Sequence, residues 1–269
     1  MKNRHELTDA QWSVIAPHLP KRKPGRGRPR NDDRASLNGI LYVLKTGCAW
    51  VDLPSTYGSP STCWRRLQEW TADGTWENIW RTLLSQLDAA HKIEWAQTFL
   101  DGSFVPAKKG GRGVGRTMMG KGSKVMVIAD GNSIPLGLYV ASAQPHESQL
   151  ADSTVATIRV PQKRGRPRVR PKELIADKAY DSRAFRRTLQ HRGIKVTIPT
   201  YERRHRKKRK SGRPIRTGLT YHNRWKVERS FAWMDNCRRL VVRYDRSIEH
   251  YKAFCLLAII LWCVKRILK

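Results

Sequence analysis

The sequence is short of acid. Its 269 residues hold 22 Asp and Glu against 53 Lys and Arg, a formal charge of +31 at pH 7. So one-sided a chain is drawn to polyanions, nucleic acid first and an anionic membrane surface second. Long apolar runs are also missing. The longest, Ala253 to Val264, falls short of the roughly 20 residues a membrane span needs and reads as a buried C-terminal helix. The opening stretch MKNRHELTD lacks the apolar segment of a secretory leader. Cysteine is sparse and unpatterned: Cys48, Cys63, Cys237, Cys255 and Cys263 include no Cys-x-x-Cys pair. That argues against a zinc ribbon or a disulfide framework and for free thiols in a reducing compartment. Apolar residues, at 39%, are plentiful enough for a real core, so a wholly disordered basic chain is excluded. The expectation is a soluble intracellular protein that binds nucleic acid and no membrane.

The first ninety residues read as helical. Thr8 and Gln11 form a capping-box signature ahead of Trp12, Ile15 and Leu19. Pro20 to Arg30 is a Pro/Gly/Arg linker that cannot continue a helix. Helices follow at about Asp32 to Lys45, Ser61 to Trp70 and Trp76 to His91, each with apolar residues at helical spacing. After residue 95 the pattern changes to strands at Thr98–Val105, Val125–Ala129 and Ile134–Ala143, the last two joined by an Asp130-Gly131-Asn132 turn. Helix Glu147–Ile158, strand Glu173–Asp177, helix Ser182–His191, strand Ile194–Ile198 and a long helix from Thr220 complete the order. Lys108 to Lys124 reads as a basic loop without one acid, and Arg203 to Arg213 as another. We expect two domains, 1–92 helical and DNA-binding, 93–269 α/β. Three strands and then alternation imply a mixed sheet covered by helices, the order of the ribonuclease H-like fold.

Three carboxylates stand where catalysis would need them. Asp101 lies inside an apolar strand, where an acid is costly unless it is paired or bound to metal. Asp177 ends the apolar run Leu174-Ile175-Ala176, and ligands of α/β sheets gather at the carboxyl ends of strands. Glu228 shares a helical face with Tyr221 and Arg224. Each has a plain structural alternative: a satisfied core acid for Asp101, a turn residue for Asp177, with Asp181 capping the next helix, and a surface pair with Arg224 for Glu228. Three acids brought together should repel and cost stability without a counter-ion.

The basic segments suggest how DNA would be held. Arg26-Gly27-Arg28-Pro29 and Arg164-Gly165-Arg166-Pro167 match a short element that inserts arginine into a narrow minor groove, or are solvated loops that bind phosphate. Ser211-Gly212-Arg213-Pro214 is a related third copy. Lys121 belongs to the acid-free loop. The Ser61–Trp70 helix fits a helix-turn-helix variant with Arg65, Arg66 and Gln68 outward, or an all-helical scaffold whose tryptophans are core.

The stretches Leu100-Asp101-Gly102-Ser103-Phe104-Val105, Ala176-Asp177-Lys178-Ala179-Tyr180-Asp181-Ser182 and Tyr221-His222-Asn223-Arg224-Trp225-Lys226-Val227-Glu228 resemble the three motifs of bacterial insertion-sequence transposases of the IS-five family. Arg238-Arg239-Leu240-Val241-Val242-Arg243-Tyr244 is similar to that family too, as are Leu7 to Trp12, Gly47-Cys48-Ala49-Trp50 and Trp64 to Leu67 near the amino terminus. The resemblance implies a ribonuclease H-like catalytic domain that hydrolyses DNA at the element ends and joins the 3′-ends to target DNA. It implies Asp101, Asp177 and Glu228 as ligands of two Mg²⁺ ions, with Mn²⁺ as a substitute and Asp101 bridging both. It further implies DNA contacts by Tyr221 and Arg224, binding of terminal inverted repeats, and a homodimer or larger assembly on DNA. Where the family often carries a basic residue after the glutamate, this chain has Asp235; Arg238 and Arg239 stand one turn further. A non-catalytic DNA-binding regulator or domesticated transposase is the alternative, and an RNA-binding protein the next.

Overall fold

The computed structural model describes residues 5–21, 31–200 and 219–269. Four helices open the chain: α1 (Asp9–Ile15), α2 (Asp33–Thr46), α3 (Pro60–Ala72) and α4 (Thr75–Ala89). Their starts follow local chemistry. The Thr8 hydroxyl accepts from the Gln11 amide at 3.2 Å, and the Gln11 side chain accepts from the Thr8 amide at 3.0 Å. Asp32 caps α2 and Ser59 caps α3. Gly47, at φ 72°, ends α2 in a conformation that L side chains avoid.

The α/β part follows as β1 (Thr98–Pro106), β2 (Gly115–Thr117), β3 (Gly120–Asp130), β4 (Pro135–Ser142), α5 (Glu147–Ala156), β5 (Glu173–Ala176), α6 (Arg183–His191) and β6 (Lys195–Thr197). Then come α7 (Trp225–Met234), α8 (Arg238–Val241) and α9 (Ile248–Ile267). In space the strands run β4-β3-β1-β5-β6, with β2 also paired to β3. The β1/β3 and β3/β4 pairs are antiparallel, while β1/β5 and β5/β6 are parallel. A three-strand meander with its first strand central, extended by two parallel strands, is the ribonuclease H-like arrangement.

Four local expectations change. The Lys108–Lys124 segment is not all loop: β2 and the first residues of β3 form a hairpin there. Its pairing is carried by backbone, with Gly115 opposite Gly122, so it shows no hydrophobic alternation to read. The long helix expected from Thr220 begins as a 3₁₀ turn over Leu219–Arg224 and breaks at Asp235-Asn236-Cys237, all weak helix formers. The cap of α6 is Ser182, whose hydroxyl accepts from the Phe185 amide, and Asp181 pairs instead with Arg186 at 2.9 Å. Arg66 does not face outward. It is 6% exposed and pairs with Asp33 at 3.2 Å and Glu69 at 2.7 Å, because the buried face of α3 runs Cys63, Arg66, Leu67, Trp70. The minor-groove candidate Arg28 and the basic stretch Arg203 to Arg213 lie outside the described residues.

Two features knit the parts. Helix α9 is apolar nearly all round, and such a helix must be buried on most sides. It packs along α4, against α1, α2 and α3, and touches β4 and α7. One core therefore runs from Leu7 to Val264. Arg243 is fully buried after α8. It donates to the carbonyls of Arg112 (2.6 Å), Gly113 (3.0 Å), Asp245 (2.8 Å) and Arg246 (3.1 Å) and to the Ser123 hydroxyl (2.6 Å).

The first of these has a direct consequence for the expected division at residue 92. Residues 1–92 made alone would leave the faces of α2–α4 that meet α9 in water. We expect that fragment to melt without a cooperative transition by circular dichroism. A sharp transition would show that the four helices are stable without α9.

Candidate active site

The sheet register brings two of the three carboxylates together. Leu100 of β1 pairs with Ala176 of β5, so the next residues, Asp101 within β1 and Asp177 just past the end of β5, lie side by side. The third arrives on α7, which lies on β1 and β3 through Val227, Ser230 and Met234. The Ser230 hydroxyl donates to the Ser133 carbonyl at 3.0 Å and so fixes that helix to the β3–β4 turn. This sets Glu228 on the side open to solvent, 61% exposed, and Arg224 inward of it.

Arg224 is the centre of the group. Its guanidinium is 3.4 Å from an Asp101 carboxylate oxygen, 3.5 Å from Asp177 and 3.9 Å from Glu228. It also donates to the Tyr221 hydroxyl at 3.3 Å, while its Nε is buried without a partner. Burial alone would make Arg224 easier to deprotonate, but the Tyr221 hydrogen bond and the charges of Asp101 and Asp177 outweigh it and raise its pKa. The repulsion expected among three acids is thus offset by an internal cation. Asp101 remains harder to ionise than usual. Burial is the main cause, and the Glu147 and Glu228 charges add to it against the Gly102 amide and Arg224.

Glu147 is a member of the group that the sequence does not announce. It opens α5, and the buried Tyr180 hydroxyl donates to it at 2.9 Å. A Cβ on Gly102 would come within 3.1 Å of the Glu147 carboxyl carbon, which puts that carboxyl beside β1 next to Asp101. Burial, then the Glu147 charge, hold the Tyr180 hydroxyl protonated far above its ordinary range. The one available signal was an acid at the start of the helix following β4, and acids are common there for helix-dipole reasons.

Of the other residues singled out, Arg65 on α3, Lys121 on β3 and Arg166 before β5 are exposed. Arg238 lines a cavity of about 670 Å³ with Lys45, Trp233 and Asp235, away from the carboxylates. Its neighbour Arg239 is buried and takes Asp245 with two hydrogen bonds, 2.9 and 3.2 Å, so its charge is already committed.

The "Transposase DDE domain" family matches residues 97–263, well over half of the chain. The chain belongs to the DDE transposases. The family described as "Putative transposase of IS4/5 family" matches residues 7–80, the helical part of this transposase. An "Insertion element IS402 uncharacterized 16.2 kDa protein" of Burkholderia cepacia is 43% identical over 117 residues, 41% of this chain and 80% of that protein. A "Putative transposase for insertion sequence element IS402" of the same species is 34% identical over 143 residues, 53% of this chain and 63% of that one. A piggyBac transposase synaptic complex with hairpin DNA aligns over 95% of this chain and 70% of that chain, at a TM-score of 0.49 and 10% identity.

Membership of the DDE family implies a divalent metal, and the donor set of the transposase suits one. Asp101, Asp177 and Glu228 offer only hard oxygen ligands, the preference of Mg²⁺ and Mn²⁺. With Glu147 the cluster holds four carboxylates against one guanidinium, a formal −3 within a chain of +31. Among the described residues no three His, Cys, Asp or Glu side chains are drawn tightly enough to hold an ion as they stand. Among the described residues, too, no helix of this transposase is long and apolar enough to cross a membrane.

Proposed function

We propose that this transposase hydrolyses DNA at the terminal inverted repeats of its own insertion sequence and transfers the 3′-ends to target DNA, working as a homodimer or larger assembly on the DNA. The observation that carries the reading is the meeting of Asp101, Asp177 and Glu228, from the middle of β1, the end of β5 and one helix, around a single guanidinium. Two Mg²⁺ ions, or Mn²⁺ in their place, would be held by these three side chains and would activate the attacking oxygen and neutralise the leaving one. Asp101, on the central strand β1, would be the ligand shared by both ions. No side-chain nucleophile is needed, so Ser103 and Ser182 take no covalent part. Tyr221 and Arg224 border the carboxylates and receive the phosphates of the strand being cut. Lys121 and Arg166 hold phosphates further out, and Arg238 and Arg28 serve the same end. Arg66, spent on Asp33 and Glu69, supports α3 instead.

The test is an assay of the full chain on duplex carrying the element end, with and without Mg²⁺ or Mn²⁺. Nicks with 3′-hydroxyl ends that appear only with metal are the expected result. A protein that binds the repeat and never cuts it would be a regulator, and the reading would fall.

Recognition of the repeat is assigned to the helical part, residues 1–92, with Arg65 the exposed base on α3. Arg65→Ala should lower the preference for repeat over random duplex about tenfold, the lower range for one good base contact. Competition binding at one fixed salt concentration measures it. Equal weakening on both duplexes would make Arg65 a phosphate contact instead.

A further inference from the structure

The β2–β3 hairpin carries something that the proposed cutting chemistry does not use. Its turn, Thr117-Met118-Met119-Gly120, sets two methionines at the tip, Met118 106% and Met119 75% exposed. The turn is ordered. The Thr117 hydroxyl donates to the Gly120 carbonyl at 2.9 Å and accepts from the Met119 amide at 3.1 Å. The base of the hairpin is ordered too, since Arg243 ties the Gly113 carbonyl to the Ser123 hydroxyl. One rung below the tip, Arg116 stands directly opposite Lys121, both exposed. Like charges facing each other across a strand pair are destabilising, and no acid occurs between Ala107 and Ala129 to offset them.

A rigid tip with an apolar end and an uncompensated pair of cations at its neck matches one kind of ligand, anionic outside and apolar within. Base pairs stacked behind a phosphate backbone have that character, and apolar side chains that enter a base step unstack and kink it. Methionine suits the task because its unbranched thioether adapts to an irregular slot. We propose that Met118 and Met119 form a wedge that enters a base step of the bound duplex, with Arg116 and Lys121 gripping the phosphates on either side. This deepens the proposed function and rests on it, since the duplex is the one the transposase cuts.

The strands fix where the wedge acts. Asp101 pairs with Val127, seven residues along β3 from Gly120. At about 3.3 Å per residue the tip lies about 23 Å from the carboxylates, within one helical turn of duplex.

The experiment uses the full chain and element-end duplexes with 2-aminopurine placed singly at each position within ten base pairs of the cut. Anisotropy of a separate dye reports binding on the same samples. One step should brighten severalfold on binding. Met118→Ser with Met119→Ser should abolish that signal while anisotropy still shows binding, and Met118→Leu with Met119→Leu should keep it. The serine positions are exposed, so the fold is not at stake. Full binding without brightening at any position overturns the wedge and leaves the proposed function standing. No binding at all overturns both. A serine variant whose mass by light scattering falls without DNA, while the brightening persists, makes the tip a subunit contact and also overturns the wedge.

Discussion

Asp101→Asn, Asp177→Asn and Glu228→Gln should each leave the transposase folded and DNA-bound, and each should reduce cleavage of element-end duplex by about a thousandfold or more. The size follows from removing one charged ligand of the proposed metal ions. Metal stabilisation of the reacting phosphate is worth several kcal/mol, and about 4 kcal/mol corresponds to a factor of about 10³. Asp101 should be the most severe, because the proposed function has it serve both ions. Stability without metal should change little, since in each variant the Arg224 guanidinium keeps two of its three acids. Asp181→Asn and Asp235→Asn are the controls: the first carboxylate is committed to Arg186, the second is at the end of α7, and both variants should cut. Nicking assays at fixed protein and Mg²⁺ decide it. A dead Asp181→Asn beside an active Asp177→Asn would move the second metal ligand to Asp181.

The largest stability loss should come from a residue far from chemistry. Arg243→Ala strips five hydrogen bonds from the region where the hairpin base, β3 and the segment before α9 meet. Leaving a buried acceptor unsatisfied costs about 1–3 kcal/mol, and removing one partner from a buried charged network about 3–5 kcal/mol in all. A loss of about 4 kcal/mol lowers the melting temperature by roughly 8–16 °C in a chain of this size. Arg243→Lys should recover only part, because one ammonium cannot reach acceptors spread around a planar fork. Denaturant melts of the two variants give the comparison, and a loss under about 1 kcal/mol for alanine would show that water replaces the guanidinium.

Much of the fold was legible because its signals are local. The Thr8–Gln11 box, the Asp130-Gly131-Asn132 turn and the apolar run of α9 each act within a few residues, and each sits where the pattern puts it. Asp101 stood out because an acid set in apolar strand sequence is too costly to keep unless a cation holds it, and Asp177 because it ends an apolar strand, where ligands of α/β sheets gather. What escaped depended on three-dimensional neighbours. Glu147 reaches Asp101 only through the path of β4 into α5, and Tyr180 matters only through Glu147. Arg65 and Arg66 looked alike, yet adjacent helical positions lie about 100° apart, so only one could face away from α2. The hairpin of β2 was hidden because glycines, not alternating side chains, carry its pairing.

Helix α9 has a bearing on how the protein is made. The ribosome releases α1–α4 well before α9, yet the apolar faces of those four helices close on α9. On the expectation that residues 1–92 do not fold alone, the surface assigned to reading the element ends is finished only when Ile248–Ile267 have left the ribosome. Interrupted or truncated copies would yield no half-built protein able to occupy the ends and block the intact one. Recognition and cutting would come into being together, on one newly folded chain.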